Sequence, residues 1–378
     1  FSPRHYARMV RKGVALIEQT GAQLVHCNSG APAQWMTPAA WRKRTPLLVY
    51  SHSPYIRRGR YTMGLHLADR VVAVAAAIAE PLLADGMDPS RISVVYNGFD
   101  EAAVLQGDAK ALRADLGIPA DAVVGAIVGS LIRRKGHDVL FEAMRRLEPG
   151  GAPFHLLVVG DGPQEAEFRA LAAGLPCHFL GRRDGVGAIL RDAVDVLIVP
   201  SREEAFGRVV AEAAFAGIPS IGSRVDGLPE AISEGETGLL VDRESPAQLA
   251  DAITVMSNDP VLRRRLGAAA LNRARRLFSI HHSADRMVEE YTDRCYLEAA
   301  LNSKILGAED YRNAKDLVSW MNNLRRNWKD VQVRSIEHSD GDEVEVHSEV
   351  IIKATVNLGA LTPNDVRAEV YYGHIDDA

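Results

Sequence analysis

The sequence predicts an α/β protein with parallel, doubly wound sheets, and three observations predict it. Short apolar runs alternate with helical patterns along the 378 residues, as they do in sheets covered on both faces. Most of these runs stop at Gly, Pro or a polar loop, the usual punctuation of strand ends. The stretch Val196–Gly222 reads as strand, polar loop, helix and strand in succession, which is the crossover unit of a parallel sheet.

Taken in order, Pro3–Thr20 reads as an amphipathic helix with Arg4, Arg8, Arg11 and Lys12 on its polar side. Strands follow at Ala22–Cys27, Leu47–Ser51, Arg70–Val74 and Ile92–Tyr96, with a helix over Ala75–Ala84. Four strands are few for a complete doubly wound domain. A polar helix at Lys110–Leu116 leads to a buried strand at Ala122–Val128, then a glycine-bounded loop and a helix ending near Leu147. Phe154–Val159 and Cys177–Leu180 are further strands. Val196–Val199 is stopped by Pro200, and the helix Phe206–Ala216 is ended by Gly217 before a strand around Pro219–Gly222. Helices are expected at Pro246–Asn258, Pro260–Phe278 and Ser283–Tyr296. The tail changes character: a helix at Tyr311–Trp328 carries Trp320 and Trp328 as packing anchors. Val331–Ile336, Val344–Leu358 and Val366–Tyr372 alternate in strand fashion.

Length allows two domains, each with its own core. Hydrophobic residues at 47% and charged residues at 25% are those of a globular chain. A net charge of −5 argues against general nucleic-acid binding. Cys27, Cys177 and Cys295 are odd in number, far apart and in no metal or redox spacing, and read as reduced buried thiols of a cytoplasmic protein. No apolar run reaches the ~18 residues of a membrane span, and no signal-peptide pattern is visible.

The chemistry concentrates at the loop-to-helix corner Ser201–Ala213. Its first helical N–H groups, near Phe206, Gly207 and Arg208, face the carboxyl edge of the sheet, where an anion can sit. Gly207 permits close backbone approach by a phosphate. Glu204 stands in the loop and Glu212 two turns into the helix, a spacing from which both reach one ligand, and carboxylates suit sugar hydroxyls. The plain alternative is surface charge beside a structural glycine turn. A hydrolase using Glu204 and Glu212 as acid and base is a second alternative.

Glu204, seven residues, then Glu212, set in Glu-Ala-Phe-Gly and Ala-Glu-Ala, resembles the signature of retaining, nucleotide-sugar-dependent glycosyltransferases of the GT-B fold, family 4. Gly-Ile-Pro-Ser-Ile, Asp-Gly-Leu-Pro-Glu and Gly-Glu-Thr-Gly-Leu-Leu-Val continue the pattern, and the resemblance covers about residues 3–298. It implies two Rossmann-like domains facing a cleft, at 1–115 and 116–300, followed by a small helix and β-strand tail at 301–378. Against that family the first domain looks N-terminally truncated.

The resemblance also implies roles. Glu212 holds the nucleoside ribose and Glu204 the sugar. Lys135, with Arg133 or Arg134, neutralises the departing diphosphate where relatives carry an Arg at the position of Ser130. Ala205, Phe206, Gly207 and Arg208 complete the donor corner. Gly162 is a backbone approach to the nucleotide, or simply a tight turn, and Gly181-Arg182 lies where relatives hold the base. His52, just past a strand end, matches a His near the transferred sugar. His52, Glu204 and Lys135 are thus the catalytic candidates.

No cofactor is expected beyond the nucleotide-sugar substrate, and no Asp-x-Asp motif lies in a suitable loop, in keeping with metal independence. The acceptor is a hydroxyl of a glycan, lipid or small molecule. Arg57, Arg58 and Arg60 read as a solvated loop, with an anionic-acceptor or peripheral membrane contact at the inner face as the alternative. Leu361-Thr-Pro-Asn-Asp-Val366 and Val370-Tyr-Tyr-Gly373 resemble the C-terminus of bacterial α-glucan phosphorylases, GT-B enzymes that use pyridoxal phosphate; no phosphorylase catalytic region is visible. A phosphorylase-related protein and a non-catalytic nucleotide-sugar binder are therefore the alternatives to transfer.

Overall fold

A computed structural model describes residues 3–53, 65–147, 152–291, 312, 315–316, 318–338 and 352–365. The chain divides into two compact units, Phe1–Glu290 and Tyr291–Ala378. The first unit holds two parallel sheets.

The smaller sheet has the order β1 (Val25–Cys27), β2 (Leu47–Ser51), β3 (Arg70–Ala73), β4 (Ile92–Val94), each parallel to its neighbour. Every residue of β2 is buried, as expected for a strand covered on both faces. Helices α1 (Pro3–Thr20), α2 (Gly30–Lys43) and α3 (Ala76–Ala84) accompany the sheet. The sequence pattern did not announce α2. Pro38 lies inside it, and proline removes an intrahelical donor and argues against a helix. The helix forms because Ala33, Met36, Ala39 and Ala40 on one face are buried, so packing overrides propensity.

The larger sheet begins at β5 (Val123–Val128) and continues through β6 (Phe154–Val159) and β7 (Cys177–Gly181). The chain then crosses to β8 (Val196–Val199), followed by β9 (Ser220–Ser223) and β10 (Gly238–Val241). The spatial order is β10-β9-β8-β5-β6-β7, all parallel. In chain order this is the doubly wound 3-2-1-4-5-6 arrangement, and it reverses direction between β5 and β8. Helices α4 (His137–Met144), α5 (Glu165–Leu171), α6 (Val186–Ala193), α7 (Arg208–Phe215), α8 (Pro246–Asn258), α9 (Pro260–Leu277) and α10 (Ile280–Tyr291) follow in chain order, with single-turn helices at Glu101–Val104, Leu112–Asp115 and Leu228–Ala231. One core layer gathers Phe141, Phe154, Leu156 and Ile198; the other gathers Val124, Leu157, Leu197 and Val210. Residues alternate between these layers along each strand, the period of two expected of a pleated sheet.

Helix boundaries follow local chemistry. Asp259 accepts a hydrogen bond from Leu262 N–H at 2.8 Å and Pro260 occupies the first turn, so α8 and α9 separate there. The helix α7 starts at Arg208, two residues later than the pattern predicts, because Gly207 has φ +77°.

In the second unit, residues 318–327 are helical and β11 (Gln332–His338) pairs antiparallel with β12 (Ile352–Asn357). Trp320 Nε1 donates to Asp365 Oδ1 at 2.6 Å, while Trp328 remains half-exposed. The expected strand Val366–Tyr372 and the start of Val344–Leu358 lie outside the described residues, as does Cys295.

Candidate active site

Two loops leave the carboxyl ends of β5 and β8 on either side of the strand-order reversal, where doubly wound sheets bind ligands. The β5 loop runs Gly129–Gly136 and the β8 loop Pro200–Gly207. They are held together at several points. Gly136 has φ +73°, and a Cβ on it would fall 1.9 Å from the Pro200 carbonyl oxygen, so only glycine lets the loops close. Arg202 N–H donates to the Arg134 carbonyl at 2.8 Å. The Arg202 guanidinium donates to both Asp138 oxygens, at 2.9 and 3.0 Å, and to Glu244 at 2.8 Å. These hydrogen bonds push the Arg202 pKa above its ordinary value.

Within this frame Lys135 Nζ donates to Glu204 Oε2 at 2.5 Å, and both side chains are largely buried, at 20% and 13% exposure. Ser201, fully buried, donates its hydroxyl to the same Glu204 oxygen at 3.3 Å. The Glu204 backbone N–H donates to Asp226 Oδ2 at 2.8 Å, and its carbonyl accepts from Gly227 N–H at 3.1 Å. Glu204 is therefore fixed through its main chain as well as its carboxylate.

Glu212 lies on α7, half-buried. Burial raises its carboxyl pKa above the ordinary value, and the charge of Arg208 one turn earlier offsets part of that shift. Among the described residues no side chain hydrogen-bonds it. Arg208 is exposed, with its guanidinium 5.6 Å from the centre of the Phe99 ring. Its charge also reaches His52. The His52 pKa lies below 6.5, first because burial disfavours the cation and then because of Arg208. His52 follows β2, its Nε2 3.4 Å from Asn28 Oδ1 and its ring edge-to-face with Tyr50. Arg208 thus links the edge of the smaller sheet to the helix of the larger one.

The other predicted residues are placed as follows. Phe206 is 2% exposed, stacked on Tyr96 at 5.6 Å and edge-on to Phe278 at 5.3 Å, so its ring belongs to the core. Ala205 is partly buried beside it. A Cβ on Gly207 would meet Leu228 at 2.7 Å. Gly162 presses on the Leu131 backbone, where a Cβ would sit 2.6 Å from Leu131 N and O, so its close approach is made within the protein. Arg133 pairs with Glu167 at 2.6 Å, leaving Arg134 and Lys135 as the cations beside the loop junction. Arg182 is exposed after β7. Arg57, Arg58 and Arg60 lie outside the described residues. Among those residues no cluster of three His, Cys, Asp or Glu side chains gathers as a metal cage requires, and no helix is long and apolar enough to cross a membrane.

Residues 108–273 match the family described as glycosyl transferases group 1, and residues 1–103 match glycosyltransferase family 4. Two glycosyltransferase models in succession thus match this chain. The two matches take in both sheets and the whole loop junction. The tail is matched separately: residues 328–378 match the glycogen phosphorylase C-terminal domain.

Family relatives include a D-inositol 3-phosphate glycosyltransferase of Thermomonospora curvata, 34% identical over 60% of this chain and 57% of its own length. Another, from Corynebacterium efficiens, is 38% identical over 54% of this chain and 52% of its own length. The chain therefore spans a little over half of each of these relatives. Among solved structures, Anabaena HepE in complex with UDP-glucose superposes with a TM-score of 0.67 at 23% identity, covering 74% of this chain and 82% of that one. Sucrose-phosphate synthase from Thermosynechococcus elongatus gives 0.65 at 27% identity, with 79% and 81% covered. These neighbours share the GT-B architecture.

Sequence reasoning missed the supports of the family's Glu204: Ser201, Arg202, Asp138, Asp226 and, for His52, Asn28. Arg202 carried a signal, since a basic residue beside the candidate carboxylate needs a counter-ion if the loop is packed. Asp226 opens the Asp-Gly-Leu-Pro-Glu segment that continues the pattern, although nothing local names Glu204 as its partner; Asn28 carried no signal, because His52 is remote in sequence.

Proposed function

We propose that this protein transfers a sugar from a nucleoside diphosphate sugar to a hydroxyl acceptor with retention of the anomeric configuration. The observation that carries the reading is the Lys135–Glu204 pair at the strand-order reversal, with the half-buried Glu212 on the helix that follows and, among the described residues, no side chain hydrogen-bonded to it. A half-buried carboxylate without a partner is costly and awaits hydroxyl donors. The ribose hydroxyls would meet Glu212, the sugar Glu204, and the diphosphate Lys135 together with Arg208 and the first N–H groups of α7. Those positive groups would make a metal ion dispensable. His52 would contact the sugar from the opposite sheet.

In the reaction the bond from the anomeric carbon to the diphosphate breaks and the acceptor oxygen bonds that carbon on the same face. The acceptor proton leaves to a diphosphate oxygen. Charge grows on the diphosphate as the bond breaks, and Lys135 stabilises that charge more than the ground state. The D-inositol 3-phosphate relatives make a phosphorylated polyol the acceptor to try first, and the UDP-glucose complex of HepE makes UDP-glucose the first donor. Cys27 and Cys177 are free thiols, with pKa values pushed up to about 11 and about 12 by burial, which suits a reducing, cytoplasmic setting.

The test is incubation with nucleotide sugars and polyol phosphates, followed by NMR of the product's anomeric centre. Release of nucleoside diphosphate with the donor's configuration kept is expected. Donor binding without turnover across acceptors would favour the binding module. Sugar release from a simple glycoside without nucleotide would favour the hydrolase. Phosphate-dependent glucan cleavage would favour the phosphorylase reading suggested by residues 328–378.

A further inference from the structure

The segment after β9 hydrogen-bonds elements that follow strands of both parallel sheets. At its start Asp226, with φ +41°, accepts from the Glu204 N–H, and Gly227 N–H donates to the Glu204 carbonyl. Four residues after Asp226, Glu230 reaches the other sheet. Its Oε2 accepts from Ala76 N–H at 2.7 Å and its Oε1 from Ala77 N–H at 2.9 Å, at the first turn of α3.

The residue that should cap α3 is Ala75, which has no side-chain acceptor. A helix leaves its first four N–H groups unpaired, and a local cap ordinarily satisfies one of them. Here a carboxylate 153 residues away satisfies two, at the end of the helix where negative charge is favoured. Glu230 is itself held: its carbonyl accepts from Arg273 at 2.7 Å. Tyr96, in the first sheet's connection to the second, lies against it; burial raises the Tyr96 pKa and the Glu230 carboxylate raises it further. The edge that Glu230 grips also carries His52, because β2 and β3 are paired with Ser51 opposite Ala73, and α3 begins three residues after Ala73.

We infer that Glu230 is a positioning residue that clamps the His52-bearing edge of the smaller sheet to the loop that fixes Glu204. Donor capture and closure of the two sheets are thereby coupled through residues 226–230. This rests on the donor site proposed above. A nucleoside diphosphate that orders the Glu204 loop also orders Asp226, and through Glu230 the start of α3. Conversely, a swing of α3 away from Glu230 leaves two helix N–H groups unpaired.

The test is hydrogen exchange across residues 76–84 of the whole chain, with and without saturating UDP, in the wild type, Glu230→Ala and Glu230→Gln. In the ligand-free wild type these amides should exchange at least tenfold more slowly than in Glu230→Ala. Glu230→Gln, which keeps one acceptor oxygen and most of the packing, should fall between, and it decides the matter should the alanine variant fail to fold. UDP should slow the segment further in the wild type and not in Glu230→Ala, while still binding that variant. In turnover, kcat should fall more than the donor KM rises, and glutamine should restore part of it. Equal exchange in all three proteins overturns the clamp, and so does UDP protection that survives Glu230→Ala. Failure of UDP to bind any of the three sinks the donor-site reading instead, and the ligand-free rates still judge the clamp.

Discussion

The Lys135 ammonium lies 2.5 Å from the Glu204 carboxylate, across the strand-order reversal between β5 and β8. Each partner leaves the carboxyl end of a different strand, and the loops that carry them are pinned by Gly136 against Pro200 and by Arg202 against Asp138. The pair is held in place with its cation already largely out of water, and on the function proposed above a diphosphate would meet it there.

Lys135→Ala should weaken UDP binding about ten- to a hundredfold, the range of a charged hydrogen bond of roughly 1.5–3 kcal/mol. Isothermal titration calorimetry checks it. Unchanged affinity would show that the diphosphate charge is met elsewhere, with Arg134 or Arg208 the next residues to vary.

Glu212 predicts opposite effects on stability and binding. Its folded-state pKa is raised above 4.5, chiefly by burial. Such a group contributes stability below its unfolded pKa and loses it as pH rises through the folded value. Ionised at neutral pH, it weakens the fold. Glu212→Gln should therefore raise the melting temperature by about 2–4 °C at pH 7, with the gain vanishing toward pH 4, while UDP affinity falls. A dideoxy-ribose analogue of UDP should bind the wild type and Glu212→Ala equally; a variant that discriminates as the wild type does would remove the ribose assignment.

For His52 the sign is reversed. Its folded pKa is depressed below 6.5, so its contribution to stability is present above 6.5 and is lost as pH falls through the lower folded value. An NMR titration should place the midpoint below 6.5 in the wild type and move it upward in Arg208→Ala. A wild-type midpoint at or above 6.5 would mean that His52 is neither buried nor near Arg208 in solution.

Phe206 separates packing from binding. Its ring is 2% exposed between Tyr96 and Phe278. Phe206→Ala should cost about 3–5 kcal/mol in denaturant unfolding, whereas Phe206→Leu should cost less and leave UDP affinity within about twofold, far inside the tenfold that 1.4 kcal/mol represents. A tenfold loss of affinity in the leucine variant would put the ring itself in the donor site.

Much of the fold was legible because its signals are local. The pattern placed a strand at Ala122–Val128, and β5 is Val123–Val128; it placed helices at Pro3–Thr20 and Pro246–Asn258, where α1 and α8 have those bounds. Strand alternation and Pro-Asp punctuation act over a few residues. The pattern did not announce α2, α5, α6 or β10; of these, α2 has Pro38 inside it and owes its helix to the buried alanines of one face. At the site, Glu204, Glu212 and Lys135 stood out through the resemblance of their motifs to a known family, since residue type and spacing alone left surface charge as the plain alternative. The ring of Phe206 and the pairing of Arg133 with Glu167 did not, since nothing in the local sequence says which way either side chain turns.

By itself the sequence determined the alternation of strands and helices, the loop-helix corner with its two carboxylates, and the family to which they point, because hydrophobic period and motif spacing are properties of neighbouring residues. Tertiary structure alone decided that Lys135 would meet Glu204 from 69 positions away and that Glu230 would cap α3 from 154. Such pairs depend on the order in which strands pack, and that order is chosen by the burial of the whole core, which no short stretch of chain encodes.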